Sequence, residues 1–411
     1  MVSRINFQEN IEMSCKDFFK AKEKLLQILI LIPFLYVFLL SYFMSNNSKI
    51  IVPVSILGLL GLILQRKDEW LERINYYNLI IFIYAVYIFL SYLFRDGSQG
   101  VIRTYVSIGL FALLLKPLDI RIRTISVIMF FSSIVLLANL SYYYFVRDEV
   151  RMAGVMNIIP YATLCSAIAI IGFANFLESL KDKTNTKSKG VISFVTFLLG
   201  SLAVLLSMTR GVWLAQAVAM IAVTIVYFGR HSWKLLTLCF VSIVMIYSFS
   251  DFFDRRIEQT VAEVERLKSD DFSGSIGLRL QMWQAAGLLF KEKPLVGQGE
   301  GYRDRLSYLY KNDQINESLY RFRVHHFHNQ FLDILVRQGL IGFILYLAMI
   351  LYSISFVLRI GIEKMAGLFG VIIVYIVSGL TDVPMSHSQT IAAYILITTF
   401  YIKNYQKIEL Q

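Results

Sequence analysis

Stretches of about 20 apolar residues recur along this chain, and no other feature restricts its fold as severely. A bilayer core about 30 Å thick is crossed by roughly 20 residues of α-helix. Runs of that kind fall near 25–44, 49–65, 76–94, 99–116, 124–146, 153–178, 190–208, 210–228, 235–250, 334–357, 365–381 and 388–403. Twelve spans are therefore expected, of which 49–65 is short and 99–116 carries Arg103. Hydrophobic residues make up 56% of the 411, with a mean hydropathy of +0.59. Soluble domains are nearer 45–50% apolar. The predicted fold class is an all-α polytopic membrane protein. The polar, Lys-rich stretch of about 23 residues before the first span reads as a tail rather than a cleavable signal peptide.

Lys and Arg in short loops set orientation. With the N-terminus in the cytoplasm, the inner segments carry 21 of them, among them Arg66, Lys116, Lys181, Arg230 and Lys403. The short outer segments carry six: Lys49, Arg95, Arg103, Arg147, Arg151 and Arg210. The bias implies both termini inside and accounts for most of the +11 net charge. That charge is no argument for nucleic-acid binding. The chain divides into 1–250 with nine spans, a long outer loop 251–333, and 334–411 with three spans.

The acidic and basic residues of 251–333 nearly balance, which does not threaten the topology, since long translocated loops escape the positive-inside rule. Unstructured loops beyond about 15 residues are uncommon unless functional. The pattern IGLRLQMWQAAGLLF over 276–290 predicts a helix that brings Leu280, Trp283, Ala286 or Gly287, and Leu288 near one another. A Pro/Gly break follows. The loop reads as an external cap with one or two helices on the membrane surface. Cys15, Cys165 and Cys239 lie outside it, so neither a disulfide framework nor a thiolate nucleophile is implied.

Polar residues gather at the outer boundary. Three of the five histidines, His325, His326 and His328, occupy one four-residue window where the loop ends. An imidazole accepts a proton near neutral pH. These side chains suit a general base, a metal pair completed by Asp333, or contact with lipid headgroups. Arg210, between the seventh and eighth spans, and Arg279, one turn before Trp283, fit two roles: solvated or snorkelling cations, or a bidentate grip on a diphosphate. Arg103, Arg147 and Arg151 suit headgroup anchoring. Gly297, Gly299 and Gly301 follow Pro294 without a strand–helix context and read as turn punctuation.

Three segments together resemble the O-antigen ligases, within the O-antigen ligase/polymerase superfamily of bacterial integral membrane glycosyltransferases. They are 208-MTRGVWLA-215, 277-GLRLQMWQAAGLLFKEKPLVGQGEG-301, and His328-Asn329 followed by nine residues, Gly339, two residues and Gly342. The resemblance covers roughly 205–345; the first six spans match only as hydrophobic segments. It implies a GT-C-like architecture with one large periplasmic loop in the bacterial inner membrane. It also implies transfer of a glycan from undecaprenyl diphosphate to a sugar hydroxyl of lipid A–core, without metal or other cofactor. His328 would be the catalytic base, Arg210 and Arg279 would bind the diphosphate, and His326, Asn329 and Trp283 would support them. The alternatives are an O-antigen polymerase, a ligase acting on protein, and a transporter of lipid-linked sugar. A single large loop favours ligase over polymerase, and the absence of an obvious repeat speaks against transport.

Overall fold

The computed structural model describes residues 21–65, 75–116, 122–181, 187–232, 251–269 and 271–409. These residues are helical apart from turns and one isolated bridge between Ala153 and Met156. The first part comprises α1 (Ala21–Phe43), α2 (Asn47–Gln65), α3 (Tyr76–Arg95), α4 (Gln99–Leu114), α5 (Ile122–Ser141), α6 (Ile158–Lys181), α7 (Lys187–Leu206) and α8 (Arg210–Phe228). Four helices follow that are not among the candidate spans: α9 (Asp251–Lys268), α10 (Ser275–Glu292), α11 (Tyr302–Lys311) and α12 (Glu317–Phe322). The chain ends with α13 (Gln330–Ile360), α14 (Ala366–Gly379) and α15 (Ser388–Glu409).

Among the described residues, eight helices are long and apolar enough to cross a membrane: α1, α2, α3, α5, α6, α7, α8 and α13. The sequence predicts twelve spans, and the difference lies in four stretches. The predicted span 235–250 lies outside the described residues. Helices α4 and α14 are apolar but have 16 and 14 residues. At 1.5 Å per residue they reach roughly 24 and 21 Å, short of a bilayer core of about 30 Å. Helix α15 is long, but Gln389, Lys403 and Asn404 interrupt its apolar run.

Helix α6 is the axis of the membrane part. Its apolar window is 89% buried, whereas those of the other seven are 28–50% buried. Small residues along it, including Ala162, Ser166, Ala169 and Ala174, let α7, α8 and α14 pack closely, as is usual where helices meet in lipid. The outward faces of the other spans carry exposed residues such as Phe82, Leu93, Leu198 and Leu214, the surface that lipid would cover.

The segment between α8 and α13 folds on a second apolar core, separate from the first. Met282, Ala285, Ala286 and Leu289 of α10 meet Tyr302, Leu306, Leu319, Phe327 and Val336 there. The helix predicted over 276–290 is present, and of the residues predicted to lie together Ala286 is in this core and Trp283 and Leu288 pack against it. Leu280 is exposed, while Met282 and Ala285 face inward. Among the described residues the cap holds four helices, where one or two are predicted.

A kink joins cap and membrane parts. Helix α13 runs for 31 residues with a non-helical Gly339 (φ 66°, ψ −167°) inside it. Before Gly339 the helix lies between the two cores, with Val336 in the cap core and Ile334 in the membrane core, and the 21 residues from Leu340 to Ile360 suffice to span. At the break, Leu340 N donates to Pro294 O at 2.8 Å and Ile341 N to Leu295 O at 3.1 Å, so the 294–297 turn replaces the interrupted helix bonds. A Cβ on Gly297 or Gly339 would collide with the other segment's backbone, and both φ values are positive. Gly299 is pressed against the carbonyl of Arg95 at the end of α3. The Gly-x-Gly sequence is thus a packing device, which agrees with its reading as turn punctuation.

Candidate active site

The histidine window lies in the short link between the cap core and α13. Phe327 is buried in the cap core, which turns the residues on either side of it outward. His328 is held at positive φ (47°). Asn329 caps α13: its side chain accepts from Phe331 N at 3.0 Å and Leu332 N at 3.1 Å and donates to Leu380 O at 3.3 Å. This cap starts the helix immediately after His328. Trp283 Nε1 donates to Phe327 O at 3.1 Å and fixes the same link from α10.

The carboxylate beside the imidazoles is Asp382, in the turn after α14. Asp382 Oδ1 is 3.1 Å from His326 Nε2 and 3.4 Å from His328 Nδ1. The two rings are 4.3 Å apart. These are ion-pair distances, but none of the three atoms makes an aligned hydrogen bond. Burial favours the neutral acid, but the two imidazoles outweigh it and hold Asp382 well below the usual carboxylate range. Asp333, expected as a third metal ligand, instead pairs with Arg337 at 3.1 Å and accepts from Phe327 N at 3.3 Å. With Asp382 in its place, three donor atoms lie within 4.8 Å of one another, a set that a divalent ion could use.

Arg210 is the first residue of α8, after Thr209 at the N-cap. A helix N-terminus favours anions, and a guanidinium there strengthens the effect. The adjacent Gly211 is packed against the Thr381 side chain, where any Cβ would clash. This contact brings the start of α8 to the turn that carries Asp382. Arg210 pairs with Glu263 of α9 at 3.5 Å. Arg279 is half-buried on α10. Its burial lowers its pKa, and Asp382, Arg210, Glu263 and Arg151 all act on it electrostatically. Arg151, at positive φ (66°), is lowered by burial and then by Arg210. Three guanidiniums therefore share one electrostatic neighbourhood with two carboxylates. Arg151 reads from sequence as a headgroup anchor, and its place beside Arg210 is visible only in three dimensions.

A cavity of about 260 Å³ opens on another side of the histidines. His325, His326 and His387 line it, as do the end of α3, the start of α4 and the first turns of α13. None of Arg151, Arg210 and Arg279 lines it.

The fold and site thus define an all-helical polytopic membrane protein with a polar, titratable centre under a folded cap. Residues 195–347 match the model of the family described as O-antigen ligase (Wzy_C), which supports the superfamily recognised from the motifs, all of which fall in that segment. An uncharacterized protein of Haemophilus influenzae is 26% identical over 177 residues, covering 41% of this chain and 44% of that protein's length. The chain thus spans less than half the length of that curated relative.

Proposed function

We propose that the chain is an O-antigen ligase, transferring a glycan from undecaprenyl diphosphate to a sugar hydroxyl of lipid A–core on the periplasmic side of the inner membrane. The reading extends the resemblance to twelve spans with both termini in the cytoplasm and 251–333 as the periplasmic cap. One observation carries it: a His–Asp cluster suited to proton abstraction adjoins a group of arginines suited to a diphosphate.

His328 Nδ1 faces Asp382, so Nε2 is left for the acceptor. The tautomer follows from that contact. The acceptor oxygen attacks the anomeric carbon while its proton passes to His328 Nε2. The bond from that carbon to the diphosphate oxygen breaks, and the diphosphate leaves with the electron pair. A single displacement inverts the anomeric carbon. Arg210 and Arg279 stabilise the charge that grows on the leaving group, in a setting already arranged for it. Asp382 is a positioning residue for the imidazole, and His326 shares that carboxylate.

The test is in vitro transfer with purified protein, carrier-linked glycan and lipid A–core. We expect glycan on lipid A–core, insensitive to EDTA and lowered about 10²–10⁴-fold by His328→Ala. Longer glycans on the carrier instead would make the protein a polymerase, the second member of the superfamily. Folded protein that binds both substrates and yields neither product would point to another acceptor or to transport. Loss of activity in EDTA with recovery in zinc would move the chemistry to an ion on His326, His328 and Asp382.

A further inference from the structure

We propose that the 260 Å³ cavity beside His326 is the acceptor subsite and that it holds a single neutral, unphosphorylated sugar ring. The inference rests on the transferase reading above and adds to it the place and charge of the acceptor.

Size is the first argument. The cavity is slightly smaller than the roughly 300–1,000 Å³ typical of ligand pockets, which suits one ring better than an oligosaccharide. Its opening leaves the rest of a longer acceptor outside.

Charge is the second. The charged groups on the wall largely compensate one another. Arg337 pairs with Asp333 at 3.1 Å and with Glu300, and Arg303 pairs with Glu300 at 3.2 Å. Asp96 adds a further carboxylate at the rim. An anionic sugar would meet carboxylates there and no uncommitted guanidinium. A neutral ring would meet what polyols use: carboxylate and amide acceptors, hydroxyls such as Ser98, and an aromatic side chain, Tyr92. The arginine group near Asp382 has the opposite character, with three guanidiniums against two carboxylates.

Position is the third. His326 lines the cavity and contacts Asp382, while Arg279 interacts electrostatically with Asp382. His328 does not itself line the cavity, so the acceptor's reacting hydroxyl would extend from it past His326 to reach His328 Nε2, and the His326–Asp382–His328 cluster is the boundary between the two regions. An inverting displacement needs nucleophile and leaving group on separate sides of the reacting carbon, and this division supplies them.

Ser98 allows a test without damage to the fold. It lines the cavity, is exposed, and precedes α4 without capping it through its side chain. Ser98→Trp should raise the acceptor KM at least tenfold and leave the donor KM unchanged. An unchanged acceptor KM, or a raised donor KM, would overturn the assignment. A second measurement does not depend on turnover. Ser98→Cys, with Cys15 and Cys239 replaced by serine, is labelled with a maleimide. A soluble core oligosaccharide ending in a neutral hexose should slow labelling, whereas its phosphorylated counterpart and undecaprenyl diphosphate should not. Protection by either of those two instead, or by none of the three, would refute it. If the enzyme lengthens carrier-linked glycan rather than modifying lipid A–core, the ligase reading fails by itself. The same KM comparison, with the growing glycan as acceptor, then decides on the cavity.

Discussion

Arg337 and Arg279 lie on opposite flanks of the histidine window and behave as opposites. Arg337 is only 18% exposed, and the protein answers its charge: Asp333 at 3.1 Å, Glu300, and the Tyr302 hydroxyl at 3.1 Å. Its guanidinium also lies over the Tyr302 ring, 4.7 Å from the centroid. Arg279 is half-buried too, yet its neighbours include two more arginines, and its protonated form is disfavoured. One arginine closes a network that fixes the fold. The other, in the function proposed above, meets the donor's diphosphate. Both look alike in sequence, each a single arginine in a largely apolar stretch, GLRLQ and LVRQG. What separates them is that Asp333 and Glu300 pair directly with Arg337, whereas Asp382 and Glu263 act on Arg279 alongside the opposing charges of Arg151 and Arg210.

The sharpest way to break this contrast is to remove each cation in turn. Arg337→Met leaves Asp333, 2% exposed, and Glu300 without their partner. Breaking a buried pair on one side costs about 3–5 kcal/mol. A drop of that size should appear as a lower unfolding temperature in detergent, with activity falling as the folded fraction does. Arg279→Ala should do the reverse. Losing a donor aimed at developing charge lowers turnover by about 10²–10³-fold, and relief of repulsion among Arg151, Arg210 and Arg279 should leave thermal stability equal or higher. If Arg279→Ala unfolds the protein and Arg337→Met leaves it stable but inactive, the two roles are exchanged.

A smaller effect sharpens the same point. Glu263 competes with any anionic ligand for Arg210, at 3.5 Å with side chains 17% and 37% exposed. A partly exposed pair is worth about 0–1 kcal/mol. Glu263→Gln should therefore lower the donor KM by no more than about fivefold, with little change in stability. A higher donor KM would mean that Glu263 holds Arg210 in place rather than competing for it.

The contrast also shows what the sequence could reveal. The apolar runs locate the spanning helices because lipid imposes a length, and the H-N-x9-G-x-x-G spacing has a geometric meaning that the structure supplies. Asn329 is the cap that starts α13, Gly339 is its kink, and Gly342 sits against Gln338 and Tyr87. The last two residues of the predicted runs 99–116 and 365–381 lie beyond the ends of α4 and α14, because apolar residues such as Leu115 and Leu380 continue past the helix ends into the neighbouring turns. Asp382 was missed for a related reason. It stands in the turn TDVP between two apolar stretches, where an acid reads as a solvated loop residue. The signal that could have found it is an acid beside a span, which tends to be functional. Asp333, closer in sequence to the histidines, drew attention because distance along the chain is a poor guide to which carboxylate reaches an imidazole.

His387 offers the subtlest separation of the two regions. It lines the neutral cavity, and burial lowers its pKa while nearby Asp382 partly opposes the shift. His326 adds to the lowering, and Asp333 opposes it. A depressed histidine pKa means that folding favours the neutral ring. Its contribution to stability is therefore complete above the unfolded value of about 6.5 and is lost as the pH falls through that value. Asp382, held below the usual carboxylate range, stays ionised throughout this window and adds no slope of its own. His387→Gln removes the titration but keeps a polar side chain. Unfolding temperatures at pH 5, 6, 7 and 8 should then fall less steeply on acidification than those of the wild type, and the two should differ least at pH 8. A parallel pair of curves would mean that His387 is as well solvated in the folded protein as in the unfolded chain. In that case the cavity is wetter than its lining implies, and its neutral character would have to come from water rather than from the enclosed pairing of Arg337 and Arg303 with Glu300 and Asp333.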